Sequence, residues 1–81
     1  MKPHLMRKSE FLADKGITEH NEAGIFVVRD GNKYQIGVEM DVDTVVFVDE
    51  TKDQGKIQQM MNDVLYEIDD IRARFDDCFK E

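Results

Sequence analysis

The stretch Gly24-Ile25-Phe26-Val27-Val28-Arg29-Asp30-Gly31-Asn32-Lys33-Tyr34-Gln35-Ile36-Gly37-Val38-Glu39-Met40 decides the fold. Ile25 to Val28 is a β-branched and aromatic run, which fits a pleated, buried surface. Asp30-Gly31-Asn32 follows, and its Asp-Gly and Gly-Asn pairs supply the turn chemistry of a tight hairpin. Beyond the turn, Tyr34, Ile36, Val38 and Met40 alternate with Lys33, Gln35, Gly37 and Glu39. That period of two marks a strand with one buried and one wet face. Gly37 inside it signals a bulge or a close backbone approach.

Working outward, Asp41-Val42-Asp43 reads as a second turn and Thr44-Val45-Val46-Phe47-Val48 as a third strand. Turns this short pair consecutive strands antiparallel, which predicts a three-stranded meander over 24–48. Upstream, Ile17 to Ala23 is polar and reads as loop. Before it, Pro3 suits the first turn of a short helix, with Leu5, Met6, Leu12 and Ala13 on one side. Gly16 would end that helix in the left-handed conformation. Ser9 is an alternative cap for a shorter helix over Glu10 to Lys15. The expected fold is α+β in one domain over 1–81: an N-terminal helical segment (1–16), the meander, and one long helix (51–80).

That last helix carries the strongest pattern. Thr51-Lys52-Asp53-Gln54 has the form of a capping box. Beyond Gly55 the apolar positions are Ile57, Met61, Val64, Ile68, Ile71, Phe75 and Cys78, at alternating steps of four and three. This is a heptad seam, which Met60, Leu65 and Phe79 widen. A helix from Lys52 to Phe79 would run about 40 Å at 1.5 Å per residue. Strands of five to seven residues span only about 17–23 Å. One face of a three-stranded sheet would leave Ile71, Phe75 and Phe79 in water, so the seam is expected to bury against a partner helix. The prior for soluble oligomers makes that partner a second copy of the chain.

Charge narrows the functional classes. The 81 residues carry a net charge of −7. The excess lies in residues 21–50, with two bases against seven acids, and in 51–81, with five against eight. Such a surface repels phosphate backbones, so direct nucleic-acid binding is not expected. Asp63, Glu67, Asp70 and Asp77 align on one side of the last helix and would face a partner, possible only if that partner tolerates or complements acid. Arg72 and Arg74 interrupt the row. Cys78 is the single cysteine, which excludes an internal disulfide and fits a reducing compartment. No apolar run reaches the roughly 20 residues of a membrane span, and a cytoplasmic address is expected.

Catalytic and metal chemistry find little footing. Asp41-Val42-Asp43-Thr44-Val45 resembles the first motif of haloacid dehalogenase-type phosphatases over those five residues. The resemblance implies a parallel sheet and later Lys and Asp motifs, for which no room remains after Thr44. Helix, three strands and helix is similar in outline to the double-stranded-RNA-binding domain, but only Lys52 and Lys56 stand where a basic cluster belongs. His4 and His20 are the only histidines and have no metal-ligand spacing. Neither a cofactor nor a metal is expected. The sequence points to a non-enzymatic, acidic protein-interaction module (adaptor, regulator or small inhibitor) that dimerises through its C-terminal helix. Its alternative is an acidic decoy for a basic nucleic-acid-binding enzyme.

Overall fold

The computed structural model describes residues 3–13 and 15–76. The expected α+β class is found, with a larger sheet than the sequence suggests. Strands β1 (His4–Arg7), β2 (Gly16–His20), β3 (Ile25–Asp30), β4 (Lys33–Glu39) and β5 (Thr44–Thr51) form one five-stranded antiparallel sheet, in the order β1-β5-β4-β3-β2. Helix α1 (Lys8–Leu12) joins the two edge strands, and helix α2 (Ile57–Asp76) follows a 3₁₀ turn over Gln54–Lys56.

The central hairpin forms as its residues dictate. Asp30 pairs with Lys33 across a two-residue loop, and Gly31 takes φ +64°. The register of β4 against β5 shifts between Ile36 and Gly37. Gly37 is also the point of closest packing: a Cβ there would lie 2.6 Å from Val45 Cγ1 and 2.9 Å from Phe11 Cζ. Gly37 thus marks a close approach, and the bulge beside it has its extra residue, Val48, in β5.

Several expectations need correction. The N-terminal segment is not a single helix to Gly16: residues His4–Arg7 form a strand against β5, and only five residues turn helical. Leu5 and Met6 contribute to opposite faces of the sheet, so their adjacency reflects strand alternation. The supposed loop after residue 16 contains β2, whose five residues are all exposed. It exists through pairing with β3, leaving no apolar pattern to read. Finally, the helix begins at Ile57 rather than at Thr51, because Asp53 accepts from Gly55 N at 2.9 Å and starts a 3₁₀ turn.

The sheet is covered on both faces. Ile25, Val27, Ile36, Val38 and Val46 pack with Met61, Val64, Ile68 and Ile71 of α2. On the opposite face Phe26, Val28, Val45 and Phe47 enclose Phe11 of α1, which is fully buried. The expected protrusion of the distal helix is overturned here. Ile68 and Ile71 are 8% and 5% exposed, and Phe75 is partly buried against the same core. The 20 residues of α2 are roughly 30 Å long. Ala23 and Met40, beyond the strand ends, extend the platform beneath it. Cys78 and Phe79 lie outside the described residues.

Candidate interaction surface

Helix α2 buries one stripe and shows the rest. Ile57, Met61, Val64, Ile68, Ile71 and Phe75, expected at a dimer interface, face the chain's own sheet. A homodimer through the seam loses the exposed surface that motivated it. The outer face of α2 stays exposed.

One flank of that face is acidic. Asp63, Glu67 and Asp70 follow at steps of four and three, and all three are exposed. Asp77, the fourth residue expected in the row, lies outside the described residues. On the crown beside them Tyr66 is 91% exposed, and Leu65 is 47% exposed toward the opposite flank. A tyrosine at this exposure contributes almost nothing to the core. Its ring with a polar tip is the kind of group that anchors interfaces.

The two arginines that interrupt the row in sequence behave differently in space. Arg72 leaves it: its guanidinium donates to the carbonyls of Ala23 at 2.6 Å and Glu39 at 3.1 Å. Arg74 stays exposed at the end of the acidic flank. Below the flank, Val48, Met60 and Val64 floor a groove rimmed by Asp49, Asp63 and Glu67. Residue spacing does not announce it, because the facing of Asp49 depends on the β4–β5 register.

The other candidate chemistry disperses. Asp41 and Asp43 form a turn, with Asp41 Oδ1 accepting from Asp43 N at 2.8 Å, and the strands around them pair antiparallel. The phosphatase-like motif thus lacks its parallel sheet. His20 stacks on Phe26 with ring centroids 4.1 Å apart, and His4 stacks on Phe47 at 5.2 Å. Lys8 pairs with Glu39, and Lys15 donates to Gln35 at 2.9 Å. A cavity of about 680 Å³ is an open depression lined by Arg7, Lys8, Leu12, Val42 and Asp43 among others. Among the described residues no group of three or more His, Cys, Asp or Glu could hold a metal ion. No helix there is long and apolar enough to cross a membrane. No protein-family model, curated protein or solved structure matches the chain.

Proposed function

We propose that the chain is a non-enzymatic protein-interaction module, acting as an adaptor, regulator or small inhibitor, that meets a basic partner with the outer flank of α2. One observation carries this reading: three exposed carboxylates in register, with a tyrosine left 91% exposed beside them on a helix whose apolar stripe is already satisfied. Acidic rows of this kind steer and orient basic partners more than they add raw affinity. The aromatic ring supplies the apolar contact that charge alone does not.

The experiment is affinity capture with three baits: the natural chain, Glu67→Lys/Asp70→Lys, and Tyr66→Ala. A partner bound by the natural chain and lost by both variants supports the reading. Capture that is equal with all three baits overturns it. Each substituted side chain is exposed, so a dispersed spectrum and an unchanged melting point confirm that the baits are folded.

A second reading, the decoy for a basic nucleic-acid groove, is favoured by the position of Arg72. Its guanidinium points to Ala23 and Glu39, so of the two arginines only Arg74 stays beside the row of Asp63, Glu67 and Asp70. A captured partner that short duplex DNA or RNA displaces, and whose binding falls steeply with salt, fits the decoy. A partner indifferent to nucleic acid rules it out and leaves the first reading standing.

A further inference from the structure

We infer that the groove between β5 and the first half of α2 receives an arginine side chain from the partner's protein segment. This rests on the acidic-flank reading and names the contact within it. The groove measures about 170 Å³, a volume on the scale of one long side chain. Its floor is Val48, Met60 and Val64, and its rim is Asp49, Asp63 and Glu67.

The rim is assembled by two separate devices. Asp63 and Glu67 stand one helical turn apart, where like charges oppose each other by a few tenths of a kcal/mol. Asp49 arrives from the sheet. Ile36 pairs with Asp49 while the next residue, Gly37, pairs with Phe47, so Val48 is the extra residue of a bulge. Bulges re-aim side chains. Because Ile36 faces α2, its partner Asp49 is brought to the helix side, next to Val48 rather than opposite to it. Without the shift, strand alternation would send Asp49 to the other face.

Three like charges around an apolar floor form an incomplete arrangement. The ion pairs among the described residues, Lys8 with Glu39 and Lys33 with Glu50, involve none of the three. A cation is the complementary charge, and the floor selects its kind. A divalent metal takes six or more oxygen ligands, whereas half of this lining is hydrocarbon. A long cationic side chain buries its methylenes on such a floor and keeps its head at the rim. Arginine fits better than lysine, because its planar fork can bond two carboxylates at once.

The test is a titration of the ¹⁵N-labelled full chain with the peptide acetyl-Ala-Leu-Arg-Leu-Ala-amide. The same peptide with lysine or with uncharged citrulline at the centre serves as control. Saturating amide shifts are expected at Val48, Asp49 and from Met60 to Glu67, smaller with lysine and lost with citrulline. Asp63→Asn/Glu67→Gln should weaken binding by about tenfold or more, the equivalent of 1.4 kcal/mol. Glu19→Gln/Asp69→Asn, which removes the same charge at two exposed positions away from the groove, should stay within about twofold. Equal loss in both variants, equal binding of the citrulline peptide, or absence of any binding overturns the groove. So does reproduction of the same shifts by Mg²⁺ or Ca²⁺ alone. None of these outcomes touches the capture experiment with Glu67→Lys/Asp70→Lys, so the groove can fail while the acidic-flank reading stands.

Discussion

The guanidinium of Arg72 donates a 2.6 Å hydrogen bond to the carbonyl of Ala23, closing a span of 49 residues between α2 and the β2–β3 connection. The same nitrogen reaches the carbonyl of Glu39 at the end of β4, 3.1 Å away. One side chain thus ties the second half of the helix to one carbonyl ahead of β3 and one at the end of β4. Hydrogen bonds from charged groups contribute about 1.5–3 kcal/mol each, and partial exposure of this group places the pair near the low end. Arg72→Ala is expected to cost about 2 kcal/mol in urea denaturation, and Arg72→Lys about half of that. Faster amide exchange over Ile71 to Phe75 should accompany the loss.

Gly24 is the other half of that clamp. Its φ is +92°, and a Cβ there would sit 2.7 Å from Arg72 Nη2. Gly24→Ala therefore meets both backbone strain and a steric conflict. The backbone part alone is about 1–2 kcal/mol. In an Arg72→Ala background only the backbone part remains, so the double variant should be more stable than additivity predicts. A cycle of four denaturation curves measures that coupling, and strict additivity would separate the two residues.

Gly37 predicts a second coupling, on the opposite face of the sheet. Gly37→Ala drives a methyl group against Val45 and Phe11 and should cost about 1–3 kcal/mol. Phe11→Leu shortens the ring that stands in the way. The double variant should recover part of the cost of Gly37→Ala, read as a rise in melting temperature over the sum of the single changes.

Legibility in the sequence followed how locally each feature is determined. The β3–β4 hairpin was readable because Asp30-Gly31-Asn32 carries its own turn preference and Tyr34 to Met40 alternate without interruption. The buried stripe of α2 was readable from its spacing, as was the acidic row. Strand β2 was not, since its residues lie exposed and its conformation comes from pairing with β3. Strand β1 offered only Leu5 and Met6, a pair too short to separate a strand from a helix. The helix start was misplaced because Thr51 and Gln54 satisfy a capping pattern that Asp53 pre-empts. The reach of the helix was misjudged for another reason: the core strands β3, β4 and β5, with Ala23 and Met40 beyond their ends, already shelter the stripe as far as Ile71. The groove depends on a one-residue register shift, a property of two strands together that neither sequence displays alone.

The helix start yields a modest test. Asp53 Oδ1 accepts from Gly55 N, and Thr51 Oγ1 accepts from Asp53 N at 3.1 Å. Asp53→Ala should lower stability by about 1 kcal/mol, the usual effect of losing an N-terminal cap. Gln54→Ala, which the capping-box reading would make comparably harmful, should change it by less than about half of that. Equal effects would return the cap to Thr51 and Gln54.

Ile71→Asp separates a seam that serves the core from one that serves a dimer. Ile71 is 5% exposed and packs with Val64, Ile68 and the sheet residues beneath them. A carboxylate there loses the packing of the isoleucine and must also be desolvated without a partner, which together exceed about 4 kcal/mol. For a domain of this size that shifts the melting temperature by roughly 16–30 °C, enough to leave little folded protein at 37 °C. If the seam instead served a dimer, the same substitution would yield a folded monomer with unchanged ellipticity and half the mass in light scattering. Leu65→Asp, on the same helix but 47% exposed, should melt within a few degrees of the natural chain. The contrast between two aspartates six residues apart therefore reads which face of α2 the chain has already used for itself.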